Sequence, residues 1–118
     1  MPTKTTEQSV TMLQDHITAV ANGDLAALAD HYTDESVLIL PDQTLKGSDQ
    51  VRGFYAHLLA AMPADWLAGF NLIRQDVQGE VAYLLWQAPP LIPLATDTFV
   101  MRDGKIVAQT FALFAPKS

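Results

Sequence analysis

Asp97 is the residue best placed to do chemistry. It alternates with Ala95, Phe99 and Met101, so on an extended strand its carboxyl shares a face with three apolar side chains. If that face lines a cavity, burial disfavours the carboxylate and raises its pKa. It can then donate a hydrogen bond or exchange a proton near neutral pH. The alternative is an exposed carboxylate paired with Arg102 or a lysine. His16 lies one step off an apolar stripe made by Val10, Leu13, Ile17 and Val20; as a boundary histidine it needs only a hydrogen-bond partner. Gln109 alternates with Phe111 and Leu113, and Gln87 with Leu85 and Tyr83. A glutamine on a cavity-facing strand must find partners and would orient a ligand. On an outer face it meets solvent or a second subunit. Trp86 has the opposite parity to Gln87 and is expected outside, as a dimer contact, unless a bulge near Pro89 shifts the register.

These side chains need elements to hold them. Steps of three and four between Val10, Leu13, Ile17 and Val20 predict a helix that ends at Gly23, where a left-handed backbone costs little. Asp24 can cap a second, short helix carrying Leu25, Leu28, Ala29 and Tyr32, which Thr33-Asp34-Glu35 breaks. Val37–Leu40 reads as a strand stopped by Pro41, and Asp42–Gly47 as a polar turn. A third helix follows with Ser48 as N-cap, Asp49 at the positive end of its dipole and Val51, Phe54, Tyr55, Leu58, Leu59 and Met62 on one face; Pro63 ends it. Tyr55 and Tyr32 are each a core aromatic or a hydroxyl at a pocket rim.

The second half predicts strands. Trp66–Val77 and Glu80–Ala88 are joined at Gln78-Gly79, and Leu91–Arg102 and Lys105–Phe114 at Asp103-Gly104, a strong two-residue hairpin signal. Pro89-Pro90 separates the hairpins, and Pro93 weakens the start of the third long strand. Helices followed by a run of antiparallel strands make an α+β domain over residues 1–118, not a doubly wound sheet. Three helices on a curved sheet leave a concavity suited to a small molecule.

Composition narrows the partners. The formal charge of −6 comes without any Lys/Arg cluster, which argues against nucleic acid and against anionic membrane surfaces. There is no cysteine, so disulfides and thiolate chemistry are excluded. His16, His31 and His57 lack a metal-ligand spacing, and no phosphate loop or dinucleotide fingerprint is present; no metal or cofactor is expected. The polar start, Met1–Ser9, lacks the apolar stretch of a signal peptide, and the longest apolar run, Val81–Trp86, is far too short to span a bilayer. The expectation is a soluble, cytoplasmic protein.

Several segments resemble a known family. Ala21-Asn22-Gly23-Asp24-Leu25-Ala26-Ala27-Leu28 and Tyr32-Thr33-Asp34-Glu35-Ser36-Val37 resemble the first helices and strand of ketosteroid isomerases and the related SnoaL-like polyketide cyclases. Gly47-Ser48-Asp49-Gln50-Val51-Arg52-Gly53-Phe54-Tyr55 resembles their third helix. Asp97-Thr98-Phe99-Val100-Met101-Arg102-Asp103-Gly104-Lys105-Ile106, with Thr110–Phe114, resembles their final hairpin. The resemblance implies the nuclear-transport-factor-2-like (cystatin-like) fold, a cone of curved antiparallel sheet and three N-terminal helices, paired into a homodimer through the outer sheet face.

It also implies a site. In the isomerases an aspartate before a proline at the end of the first strand is the base. A helix 1 tyrosine and a protonated aspartate, kept neutral by its apolar site, form the oxyanion hole. Asp97 matches the protonated aspartate; Leu40 stands where the base would be, and His16 where the tyrosine would be. The alignment places His16 across a pocket from Asp97, where the two could share a proton. Tyrosines at the positions of Tyr32 and Tyr55 extend the oxyanion-hole network in related isomerases. The expected site therefore has Asp97 and His16 as catalytic groups, with Tyr32, Leu40, Phe54, Tyr55, Tyr83, Gln87, Phe99, Gln109 and Phe111 around the ligand. Two functions are expected: an isomerase- or cyclase-like enzyme for an apolar carbonyl compound, or a non-catalytic domain that binds a hydrophobic ligand or dimerises.

Overall fold

Thr3 begins the first helix, α1 (Lys4–Asn22), by accepting the Thr6 N–H on its hydroxyl, and Gly23 ends it with φ 64°. Asp24 then accepts the Ala27 N–H at 3.1 Å and caps α2 (Leu25–Asp30). These features belong to a computed structural model that describes residues 3–114; of the polar N-terminal stretch, Met1 and Pro2 lie outside the described residues. Ser9 donates to the Gly79 carbonyl at 2.7 Å, and the Gly79 N–H donates to the Thr6 hydroxyl at 2.9 Å. Together they tie α1 to a hairpin of the sheet.

Tyr32 does not extend α2; it opens strand β1 (Tyr32–Ile39). The His31 carbonyl accepts the Ile106 N–H at 2.7 Å, which draws the chain into the sheet before another helical turn can form. The polar run after Tyr32 makes a bulge rather than a break. The Ser36 hydroxyl donates to the Ile106 carbonyl at 2.6 Å and accepts the Thr33 N–H at 2.9 Å. The expected turn at 42–47 contains a short strand, β2 (Thr44–Lys46), paired with β1. Gly47, at φ 89°, is the residue outside α3 (Ser48–Ala61), so Ser48 is the first helical residue and not the cap.

The start of the predicted strand at Trp66 is instead a helical turn, α4 (Trp66–Gly69). Pro63-Ala64-Asp65 initiates it: the Trp66 N–H reaches the Pro63 carbonyl at 3.1 Å and the Ala68 N–H reaches that of Asp65 at 2.9 Å. Strands β3 (Asn71–Gln78), β4 (Val81–Ala88), β5 (Ile92–Arg102) and β6 (Lys105–Phe114) follow. Gln78 pairs with Val81, so the β3–β4 turn is Gly79-Glu80, one residue later than expected. Asp103 and Gly104 have φ 52° and 74° between the paired Arg102 and Lys105, the two positive dihedrals of a tight hairpin turn.

The six strands form one curved, unclosed sheet in the order β2-β1-β6-β5-β4-β3. Every pairing is antiparallel except β1 with β6. Its inner face carries Ala82, Leu84 and Trp86 on β4, Ala95, Asp97, Phe99 and Met101 on β5, and Ile106, Gln109 and Phe111 on β6, all buried. Leu13, Leu28, Val51 and Tyr55 close the core from the helices. The architecture is α+β, a cone of helices and sheet. No described helix is long and apolar enough to cross a membrane.

Candidate functional site

The helices and the inner sheet face enclose a cavity of about 80 Å³. α1 contributes His16, Ile17 and Val20; α3 contributes Phe54, Tyr55, Leu58, Leu59 and Met62. Trp66, Leu67 and Phe70 come from α4 and its end, and Leu84, Trp86, Asp97, Phe99 and Phe111 from the sheet. Phe54, Leu58 and Leu59 are only half-buried although they continue the stripe of Val51 and Tyr55, because they border this space rather than solid core. Among these wall residues Asp97 is the one carboxylate, and its other polar side chains, His16, Tyr55 and the two indoles, are uncharged at neutral pH or nearly so.

Strand register builds the acid's surroundings. Leu84 on β4 and Phe111 on β6 are the direct partners of Asp97, and direct partners point to the same face. Even-numbered residues of β4 therefore share the face of odd-numbered residues of β5. Trp86 points inward, against the expectation that it would lie outside, and its indole N–H donates to Asp97 Oδ2 at 2.8 Å. Gln109 donates to Asp97 Oδ1 at 2.9 Å and to the Tyr55 hydroxyl at 3.0 Å. Its carbonyl oxygen accepts the Tyr32 hydroxyl. Tyr55 also meets His16 Nε2 at 3.1 Å and the Tyr32 hydroxyl at 3.4 Å.

Burial dominates the electrostatics. Asp97, only 7% exposed, is pushed up to about 6, because losing water outweighs the two N–H donors that favour its charge. His16 is pushed down to about 3 by burial and then by His31, so its ring is neutral. Burial also raises the Tyr32 and Tyr55 hydroxyls above their ordinary range, so both stay protonated. His16 and Asp97 border the same cavity but share no hydrogen bond. Tyr55 and Gln109 stand between them, and the direct proton-sharing pair expected from the alignment is not formed.

The other expected site residues divide into three groups. Phe54, Tyr55, Phe99 and Phe111 border the cavity with Asp97 and His16. Tyr32 and Gln109 lie behind its wall and reach it through hydrogen bonds. Leu40, Tyr83 and Gln87 are not at the cavity. Leu40 follows β1, and its N–H donates to the Gln43 carbonyl at 2.8 Å. Tyr83 and Gln87 have the outer parity of β4, with the Arg74 guanidinium 5.7 Å from the Tyr83 ring centroid. Trp86 was expected at the cavity only with a bulge near Pro89, and Trp66, Leu67 and Phe70 were not expected there. Pro-Ala-Asp ahead of Trp66 is the signal for α4. For Trp86, nothing in Pro89-Pro90 declares which parity continues across that connection.

A curved, unclosed sheet capped by helices is the fold shared with solved nuclear-transport-factor-2-like proteins. The sequence matches the SnoaL-like domain family over residues 13–109, and the chain belongs to that family. Solved structures of the same fold include a nuclear-transport-factor-2-like protein from Mesorhizobium loti, with TM-score 0.77, 20% identity and 98% of each chain covered. A SnoaL-like protein from Burkholderia thailandensis gives TM-score 0.72 at 18% identity, covering 98% of this chain and 100% of that one. An LEH-like epoxide hydrolase from M. tuberculosis gives 0.67 at 13% identity, covering 92% and 84%. At these identities the likeness establishes the fold alone. No curated protein matches the sequence.

Proposed function

We propose that the domain binds a compact, mostly apolar molecule bearing a carbonyl oxygen and acts on it by isomerase- or cyclase-like proton transfer through Asp97. The observation that carries this reading is the Asp97 carboxyl itself, one acid at the floor of an apolar cavity with each oxygen already held by an N–H donor. With a pKa near 6 it exists in both forms around neutrality. The protonated form donates to a ligand oxygen and polarises the carbonyl. The ionised form accepts a proton from a neighbouring atom of the ligand. Leu40 leaves the isomerases' usual base position without an ionisable group, so one carboxyl must serve both directions of transfer. His16 acts through Tyr55 in this reading, because it touches the Tyr55 hydroxyl and not Asp97.

Cavity size limits the ligand. About 80 Å³ is well below the roughly 300 Å³ or more that drug-sized ligands occupy. A steroid exceeds this space; a small ring or short chain fits it. The outer sheet face supports the companion proposal of a homodimer: Ile39, Val81, Leu94 and Phe114 are exposed apolar side chains of outer parity.

The test is turnover and binding by wild type and Asp97→Asn over a panel of small cyclic and acyclic carbonyl compounds. Loss of turnover with binding retained is expected. Equal turnover by the variant would remove Asp97 from the chemistry, and binding without turnover by either protein would leave a ligand-binding domain.

A further inference from the structure

His31 was not expected at the site, yet its ring touches the hydrogen-bond network that ends in the cavity. His16 Nδ1 and His31 Nδ1 are 3.4 Å apart, with ring centroids at 5.6 Å and planes at 47°. Two nitrogens of the same kind facing each other satisfy one another only when one carries a hydrogen and the other a lone pair. A hydrogen bond between them requires complementary tautomers in the two neutral rings.

Each arrangement has a consequence at Tyr55. When His16 Nδ1 holds the hydrogen, His16 Nε2 is a lone pair and accepts the Tyr55 O–H across 3.1 Å. The Tyr55 oxygen receives the Gln109 N–H, and its own hydrogen is taken up by His16. When His31 Nδ1 holds the hydrogen, His16 must carry its proton on Nε2 and donates to the Tyr55 oxygen. The Tyr55 O–H is then free. Its remaining protein partner is the Tyr32 hydroxyl at 3.4 Å, a long contact that a ligand oxygen in the cavity can displace.

We infer that His31 is a positioning residue: the proton shared between the facing Nδ1 atoms decides whether the Tyr55 hydroxyl is tied to His16 or free to donate to a ligand beside Asp97. His31 is half-buried and opens on a separate surface cleft bordered by Lys4, Glu7, Thr11, Asp15 and Gly104. The cavity's donor is thus set from the far side of α1. The charged groups facing His31 are Asp15 on α1, Asp30 at the end of α2 and Lys105 on β6. Burial lowers its pKa and Asp15 opposes that effect, whereas His16 stays neutral down to about 3. On acidification His31 takes up the first proton. An imidazolium has hydrogens on both nitrogens, so it fixes the second arrangement and frees Tyr55.

The inference rests on Tyr55 and Asp97 being the groups that meet a ligand oxygen, but its test needs neither ligand nor turnover. Long-range proton–nitrogen NMR of the uniformly ¹⁵N-labelled, ligand-free chain reports the hydrogen on each ring nitrogen from pH 8 to pH 5. The expected result is complementary Nδ1 states in the two neutral rings, and His16 fully in its Nε2–H tautomer once His31 is charged. Matching Nδ1 states in the neutral rings, or an Nδ1–H on His16 beside a charged His31, would overturn it. In His31→Phe the expected result is that no tautomer change of His16 remains over that pH range; a change with the wild-type midpoint would also overturn it.

Discussion

The Trp86 indole N–H donates to Asp97 Oδ2 at 2.8 Å across the β4–β5 ladder. This contact joins an indole in the cavity wall to the one carboxylate that lines it. Trp86 lies nearly parallel to Phe111 at 6.3 Å between ring centroids and is tilted against Phe70 at 5.6 Å. Its orientation is therefore set by packing on two sides, and its N–H is aimed before any ligand arrives. Trp86→Phe keeps an aromatic ring but removes the donor. The Asp97 pKa should rise above about 6, and stability at pH 7 should fall by roughly 1–3 kcal/mol, the cost of a buried acceptor without its partner. Carboxyl NMR and urea unfolding check the two parts; an unchanged Asp97 titration would contradict the role given to the indole.

Two glycines should respond in opposite directions to the same methyl group. A Cβ on Gly69 would lie 2.7 Å from the Pro89 carbonyl oxygen, whereas one on Gly53 would meet nothing within 4 Å. Gly69 therefore lets α4 close against the β4–β5 connection and wall the cavity. Gly69→Ala should destabilise by about 1–3 kcal/mol through overpacking. Gly53→Ala, in the exposed interior of α3, should stabilise by roughly 0.5–1 kcal/mol. Thermal unfolding of the two variants checks both signs.

The buried acid and the buried histidine have opposing effects on acid stability. His16 falls from 6.5 to about 3 on folding, so between those values only the unfolded chain holds its proton, and stability is lost as pH falls. Asp97 rises from 3.8 to about 6, so between those values only the folded chain holds its proton, and stability is gained as pH falls. From pH 6 to pH 4 the two slopes nearly cancel. Asp97→Asn removes one of them. Relative to wild type, its unfolding free energy should drop by an additional ~1 kcal/mol per pH unit, averaged across that window. Denaturant curves at pH 6, 5 and 4 measure this; parallel pH profiles for the two proteins would contradict the assignment.

The fold was legible in the sequence where local signals were strong. Gly23, Asp24 and Asp103-Gly104 took the conformations their residue types favour. Asp97, Phe99, Gln109 and Phe111 share the buried face that alternation suggested. Errors arose where long-range pairing overrode local pattern. Tyr32 continues an apolar helical stripe, but the pairing of β1 with β6 makes it a strand residue. Tyr83 and Gln87 exchanged faces with Trp86 because β4 takes its parity from its partner β5, with an irregularity between Trp86 and Ala88. His31 carries no sequence signal at all: it reaches His16 only because α2 is short and turns straight into the sheet.

In the proposed function Asp97 is a buried carboxyl that holds or releases a proton near neutrality. Carbon-detected NMR of its side-chain carboxyl, titrated from pH 3 to pH 8 with Asp97→Asn to assign the signal, measures this directly. A midpoint about two units above that of an ordinary aspartate, near pH 6, is expected. A midpoint at or below the ordinary 3.8 would contradict it.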